Sequence, residues 1–383
     1  MKTSSIGIAG YGHAAYEKRT SRTLFSFLAE AGRNALNSAG LTFKDVDGLA
    51  ISSFELPPDN TVTTAEQFGL SISWAYLGTA GSAGPIASVI NAKHAIESGQ
   101  ATTVLCIAGD NYDVSGHFKL MDNFSRGLRN YGTPTGFGGA NGLFGIIQRK
   151  HAETYGTRRE DLGRISVDQR RSARQNEHAL LRGPMTIDDY MNARVIADPI
   201  CLYDCVLPCA GAEAVVVTTL DRAPPGKGVR ILSGFERHNH PPMEVAPLRG
   251  GWETFAGKLY DIAGYGPEDM DLLQLYDDYP IMVAIQLEDL GFCKKGEVSA
   301  FLAKNSFSWD GSLPLNTGGG QLSCGQAGIA GGLLSVTEAV RQLRGEADGR
   351  QVANARRGLV AGYGMVGYGH GLSASSIIME AVQ

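Results

Sequence analysis

No stretch of the sequence stays apolar for the length a bilayer crossing needs, so no membrane span is expected. The opening MKTSSIGIAGYG carries one lysine and no long apolar segment, which does not make a secretory signal. Basic residues are outnumbered, with 34 Lys and Arg against 39 Asp and Glu and a net charge of −5. No basic stripe forms, and nucleic acid is not an expected partner. The six cysteines follow neither a disulfide framework nor zinc-ligand spacing. Cys201, Cys205 and Cys209 are four apart, but no histidine lies close to them, so no metal site is expected. What remains is a cytoplasmic globular protein with reduced thiols.

Glycine is abundant, 50 of 383 residues, and shows no period. It signals many tight turns and close backbone approaches rather than a fibre. Strand-like and helix-like segments alternate from the start. SSIGIAGYG reads as a strand, and RTLFSFLAEAGRNALNSAG has helical spacing and stops on glycine. VDGLAISSF reads as a strand, GPIASVINAKHAIESG as a helix and TTVLCIAGD as a buried strand. This rhythm predicts a layered α/β fold. The apolar TTVLCIAG is expected at a sheet edge, pairing across a subunit interface. Residues 112–186 are loop-rich with basic helical pieces and read as an insertion over the core.

The second half repeats the first. AGLTFKDVDGLAIS from Ala39 matches AGYGPEDMDLLQLY from Ala263. SAGPIASVINAKHAIESGQATTVLCIAG then matches SCGQAGIAGGLLSVTEAVRQLRG followed by RGLVAGYG. Two matches in the same order imply a duplication. The halves are read as residues 1–223 and 228–383, divided at the turn-rich APPGKG. Ligands of such folds bind where loops from strand ends converge, so one site shared by both halves is expected.

NTGGGQLSCGQAGIAGG, LLQLYDDYP, KHAETYGTRREDLGRIS and GYGMVGYGHG occur in that fold context. With them the chain resembles the thiolase superfamily, and most of all its lipid-transfer-protein branch of SCP-x-like thiolases and acyl-CoA aldolases. The resemblance implies a duplicated five-layer αβαβα fold and a homodimer. It also implies an acyl-CoA substrate, no separate cofactor, and a small zinc-ribbon/OB-fold protein as a separate partner. The thiolase nucleophile, a cysteine at the start of the first buried helix, falls on Ser82. The histidine of the family's Gly-His-Pro falls on Gln326, that of His-Asp-x-Phe on Tyr276, and the second cysteine on or beside Met365. All four positions have left thiolysis. A serine without a base is a poor nucleophile at neutral pH, and glutamine takes no proton. Ser82 reads otherwise as a helix-start residue, and Cys324 as a buried packing thiol rather than a nucleophile.

The aldolases of this branch that lack the cysteine use tyrosines in the same loops, and Tyr276 takes the place of the first. The second tyrosine's place is held by Gln326, whose amide could donate to a thioester oxygen. A helix-start polar residue is the plainer reading of the same position. Tyr276 can serve as acid or donor without tuning, but not as base. By alternation Asp278 shares its face and could orient or deprotonate a neighbour, or be a turn aspartate. GYGMVGYGHG adds Tyr363, Tyr368 and His370, a histidine with acid–base capability or a structural one. Its Gly362-x-Gly364-x-x-Gly367 spacing leads into a strand-like LSASSIIME, which excludes a dinucleotide fingerprint. Gly318, Gly319, Gly320, Cys324 and Gly325, with Ser82, are expected to wall the acyl-CoA pocket. The implied activity is retro-aldol carbon–carbon cleavage of a β-hydroxyacyl-CoA without an acyl-enzyme. A non-catalytic acyl-CoA or lipid-binding scaffold, and acyl transfer by an atypical nucleophile, are the competing readings.

Overall fold

The computed structural model describes residues 5–121, 125–137, 139–367 and 369–382. The first half comprises β1 (Ile6–Glu17), α1 (Leu24–Ala39), β2 (Gly48–Ser52), α2 (Thr61–Gln67), β3 (Trp74–Leu77), α3 (Ala83–Glu97) and β4 (Thr103–Asn111). A long excursion follows, with α4 (Val114–Met121), α5 (Gly139–Tyr155), α6 (Arg159–Ala173), α7 (Ile187–Met191) and the small pair β5 (Val195–Ala197) and β6 (Ile200–Cys201). The chain returns through β7 (Ala210–Thr219). The second half contains β8 (Val229–His238), α8 (Ala256–Ala263), β9 (Leu272–Leu275), α9 (Pro280–Asp289), α10 (Val298–Lys304), α11 (Gly320–Cys324), α12 (Gly331–Leu343), β10 (Arg357–Val366) and β11 (Gly371–Ala381).

Nine strands run in the order β3-β2-β4-β7-β1-β8-β11-β10-β9. The pairing is the same on either side of the β1–β8 junction. β2 is parallel to β4, β4 antiparallel to β7 and β7 antiparallel to β1. Likewise β9 is parallel to β10, β10 antiparallel to β11 and β11 antiparallel to β8. This repeat of topology is the duplication the sequence predicts. Among the described residues β1 and β8 pair through Gly7↔Arg230 and Ile8↔Val229. The expectation that TTVLCIAG forms a sheet edge is wrong: β4 lies between β2 and β7. Its unbroken apolar run reflects burial on both faces, since Thr103 to Asp110 are all buried. The edge strand of the first half is β3, where exposure alternates from Trp74 to Leu77.

Three apolar clusters define the layers. One side of the first-half strands packs on α1 through Phe27, Leu28, Ala31, Ala35 and Leu36, a helical stripe. α1 starts at Thr23, whose hydroxyl accepts from the Ser26 amide at 3.3 Å. In the middle layer, Ile86 and Val89 of α3 and Leu333, Val336 and Val340 of α12 share one core. Strand residues of both halves, Val104 and Val215 with Leu272 and Ile377, cover it. The outer side of the second half packs on α8 and α9, and Leu143, Phe144, Leu162 and Ile165 of α5 and α6 join that cluster. The excursion from the first half therefore covers the second. Five layers, αβαβα, result. Among the described residues no helix is long and apolar enough to cross a membrane.

Candidate active site

The central helices α3 and α12 meet backbone to backbone. A Cβ on Gly332 would stand 2.2 Å from the Ser82 carbonyl oxygen, and one on Gly362 at 2.5 Å. Glycine at these positions lets α12 and β10 close on the start of α3. This crossing brings Ser82, Gly328, Gly364 and Met365 to one cavity of about 80 Å³. Phe54, Tyr112, His117, Phe144, Tyr276, Asp278, Tyr279 and Gln326 also line it.

The segment after β9 is held from both sides. The Asn316 side chain accepts from the Leu275 amide at 2.8 Å and donates to the Leu275 carbonyl at 2.9 Å. The Gln286 amide does the same for Tyr276, at 3.1 and 2.7 Å. Asp277 points inward and accepts from the Gln321 and Leu322 amides at 3.0 and 3.2 Å, clamping the start of α11. Tyr276 and Asp278 turn the other way, into the cavity, as alternation predicts. The Tyr276 hydroxyl donates to Asp278 Oδ2, and Gln326 Nε2 donates to Asp278 Oδ1 at 2.7 Å.

Gln326 is itself fixed by backbone. Its amide donates to the Leu207 carbonyl at 2.8 Å, and its carbonyl accepts from Cys209 at 3.0 Å. Behind it lies Asp110 at the end of β4. Asp110 accepts from Ser53 Oγ at 2.7 Å and from the amides of Phe54, Glu55 and Ile329 at 2.8, 3.0 and 2.8 Å. One buried carboxylate thus joins a first-half loop to the loop carrying Gln326.

Burial pushes the Asp278 carboxyl up to about 6, against the pull of its bonds from Tyr276 and Gln326. Burial, reinforced by the Asp278 charge, holds the Tyr276 hydroxyl well above its usual range. The pair therefore works as a phenol hydrogen-bonded to a carboxylate that titrates near neutrality. Burial also pushes Cys205 and Cys293 up to about 12, and raises Cys106, Cys209 and Cys324 further. No thiolate nucleophile is prepared at any of them.

Several expected pocket residues lie elsewhere. Cys324, Gly318 and Gly320 face a second cavity, with His13, His178, Glu338 and Arg341. The Cys324 thiol donates to the Gly318 carbonyl at 3.1 Å, a packing role. A Cβ on Gly319 would meet Ala173 at 2.6 Å, one on Gly320 the Asp277 carboxylate at 2.0 Å, and one on Gly325 the Cys209 sulfur at 2.9 Å. These glycines fit the loop against its own protein, and they do not line the cavity that holds Tyr276 and Asp278. His370 is buried near Glu244 and His240 and does not line the cavity. Tyr363 donates to the Gly371 carbonyl at 3.1 Å and packs edge-on behind Tyr276, with ring centres 5.9 Å apart. Tyr368 lies outside the described residues. Gln326 lines the cavity, but its Nε2 is already engaged with Asp278 and, at 3.4 Å, with Gln321 Oε1. Its Nε2 bond holds the Asp278 carboxylate in place.

Sequence reasoning missed Phe54, Tyr112, His117, Phe144 and Tyr279. DNYDVSGH, running out of the end of β4, held the signal for two of them: a cap aspartate, a glycine and a histidine at a strand end.

Duplicated halves packed together as five αβαβα layers, with a shared cavity at the crossing of two central helices, define a thiolase-type protein. Residues 243–380 match the family described as Thiolase C-terminal domain-like. The chain is 32% identical over 365 residues to the 17-hydroxy-3-oxo-4-pregnene-20-carboxyl-CoA lyase of Mycobacterium tuberculosis, across 90% of this chain and 93% of that one. It is 31% identical over 358 residues to the steroid side-chain-cleaving aldolase of Thermomonospora curvata, across 89% and 90%. The solved Ltp2-ChsH2(DUF35) aldolase superposes with a TM-score of 0.83 at 26% identity, covering 99% of this chain and 98% of that one. The chain belongs to the thiolase superfamily, in its SCP2-thiolase-like acyl-CoA aldolase branch.

Proposed function

We propose that this protein is a carbon–carbon lyase that cleaves a β-hydroxyacyl-CoA by a retro-aldol reaction, with Asp278 and Tyr276 moving the proton. The observation that carries this reading is the Asp278 carboxylate, held between the Tyr276 hydroxyl and the Gln326 amide at the cavity wall. In the forward step Tyr276 passes its proton to Asp278 and takes the proton of the substrate's β-hydroxyl. The Cα–Cβ bond breaks, the β-carbon becomes a carbonyl, and the electron pair becomes a thioester enolate. The α-carbon then receives the proton back through Tyr276, which leaves a shorter acyl-CoA. Protons and electrons balance without a cofactor. The start of α3 at Ser82 lends its positive end to the developing enolate charge.

The raised cysteine thiols argue against acyl transfer. The sequence relationship to two named lyases argues against a scaffold. The assay follows carbonyl release from a β-hydroxyacyl-CoA. Tyr276→Phe should lower kcat by roughly 10²-fold, the scale of a lost acid–base group. Ser82→Ala should keep most of the activity. An inactive Ser82→Ala beside an active Tyr276→Phe would return the enzyme to covalent acyl transfer.

The reading extends to the assembly. We take residues 1–223 and 228–383 as the two halves and the molecule as a cytoplasmic homodimer. We take it to work with a small zinc-ribbon/OB-fold protein, a reading supported by the similar solved structure, an Ltp2-ChsH2(DUF35) aldolase. Co-expression and light scattering test both contacts.

A further inference from the structure

Tyr276 takes the β-hydroxyl proton in the retro-aldol reading, so the β-carbon of the substrate stands beside Tyr276. Its substituents then lie along the wall around that residue. The wall is aromatic. Tyr279 lines the cavity three residues further on, and Phe144 of α5 lines it stacked on Tyr279, with ring centres 4.4 Å apart and planes at 26°. Ala140, one helical turn before Phe144 on the same face of α5, lines it too. Among the described residues the cavity measures about 80 Å³. The thioester carbonyl, the α-carbon and the β-carbon take up part of that volume, whereas a drug-sized body such as a steroid needs a pocket of roughly 300 Å³ or more. We propose that Phe144 sets the size of the acyl group: the protein takes a β-hydroxyacyl-CoA with small apolar substituents on its β-carbon and turns away one that carries a fused-ring body. The proposal rests on the retro-aldol reading and names the substrate class of the same site. It separates this chain from the similar Mycobacterium tuberculosis lyase, whose name specifies a pregnene.

Phe144 limits the cavity because its ring has no room to move. It is fully buried. The Tyr279 ring on which it stacks donates from its hydroxyl to Asn141 Oδ1 at 2.6 Å, and Asn141 belongs to the same helix as Phe144. The ring pair is thereby tied to α5 at both ends. The helix itself is backed by protein. A Cβ on Gly145 would stand 3.2 Å from the Ala197 carbonyl oxygen, so the β5–β6 turn sits directly behind the Phe144 position. Further along α5, Lys150 donates to the Ala246 carbonyl at 3.0 Å, and His151 Nε2 meets the Glu288 carboxylate at 3.1 Å. These contacts hold α5 against the second half, which carries Tyr276 and Asp278. In a close-packed interior a ring held this way does not swing aside without displacing its neighbours. The chemistry of the lining selects as well as its size. Leu128, Val206 and Val366 add apolar side chains to Ala140 and Phe144. A polar substituent on the β-carbon would lose its water against them with no hydrogen bond in return, while an apolar one is stabilised by the burial.

The test measures carbonyl release from thioesters of rising size: β-hydroxybutyryl-CoA, β-hydroxyisovaleryl-CoA and a β-hydroxyacyl-CoA with a steroid ring system on its β-carbon. The purified protein is used with its partner if one co-purifies. Wild type should cleave the two small thioesters with kcat/KM roughly 10²-fold or more above that for the steroid thioester. For the variants the readout is a ratio of kcat/KM values, which cancels any loss of folded protein. Phe144→Ala should raise the ratio of steroid to isovaleryl thioester by roughly tenfold or more. Phe144→Leu widens the same place with a smaller loss of packing and should move the ratio in the same direction. Ala140→Leu adds bulk to the same face and should lower the ratio of isovaleryl to butyryl thioester by roughly tenfold. Wild type that cleaves the steroid thioester within about threefold of the small ones overturns the proposal while the lyase reading stands. Steroid-to-isovaleryl ratios within about threefold of wild type in both Phe144 variants do the same. Wild type that releases no carbonyl product from any of these thioesters overturns the lyase reading, and this proposal with it.

Discussion

Burial and the neighbouring Asp278 charge keep the Tyr276 proton in place at any working pH, so the phenol alone cannot be the base. Asp278 is the group whose titration sets activity. Its carboxyl is raised from 3.8 to about 6, and it must be ionised to receive a proton from Tyr276. kcat/KM is therefore expected to rise with pH through an acid limb near 6, and Asp278→Asn should lose that limb along with most of the turnover. Stability moves the opposite way. Between the two values the folded protein holds a proton that the unfolded chain has released, so stability falls as pH rises through this window. Asn does not titrate, so the melting temperature of Asp278→Asn should gain on wild type between pH 4 and pH 8. A difference that is flat with pH would remove Asp278 from the role. A second expectation at this scale concerns the thiols. With every described cysteine raised by burial or neighbours, intact mass after incubation with acetyl-CoA should show no acyl adduct. Tyr276 was legible through the family resemblance, and Asp278 because strand alternation puts it on the same face. His117 was not, because no periodicity marks where a short helix after a strand end will aim a side chain.

At the scale of elements, the loop from Gln326 to Ile329 has no regular ladder to hold it and depends on Asp110. That carboxylate gathers three donors from the Ser53–Glu55 loop and one from Ile329. Asp110→Ala would remove the acceptor of the Ser53 hydroxyl and the Ile329 amide, both buried, at a cost on the order of 1 kcal/mol or more each. The expected result is a drop in melting temperature, faster amide exchange at Phe54 and Ile329, and a fall in kcat larger than the rise in KM. Unchanged exchange at Ile329 would mean that the loop is held by its other contacts. The glycine run of the same region was read from sequence as a wall for the ligand. Three consecutive glycines show that something approaches the backbone but not what does. Here it is Ala173 and Asp277 of the protein itself. For the same reason β4 was misplaced. An apolar run fits an interior strand and an edge hidden by a partner equally well, and only the neighbouring strands β2 and β7 decide.

The fold of the whole molecule was more legible than its site, because a duplication repeats its signal while each cavity residue occurs once. Two stretches in the same order sufficed to expect paired halves. The cohesion between those halves is a different matter and is set by packing. β1 and β8 join through two residue pairs, which alone would make a weak seam. The middle layer supplies the rest, since α3, α12 and strands from both halves form one buried cluster. The excursion adds a second tie: Phe144 of α5 stacks on Tyr279 with ring centres 4.4 Å apart, and His151 Nε2 meets the Glu288 carboxylate of α9 at 3.1 Å. Neither half can keep its inner sheet face from water without the other. A single cooperative unfolding transition is therefore expected, with coincident loss of far-UV signal and tryptophan fluorescence, since Trp74 lies in the first half and Trp252 in the second. A fragment ending at Ala223 should expose the α3 face and aggregate or remain molten. Two resolved calorimetric transitions, or a well-folded soluble fragment, would show that the middle layer does not bind the halves into one unit, and that the cavity between them could open without global unfolding.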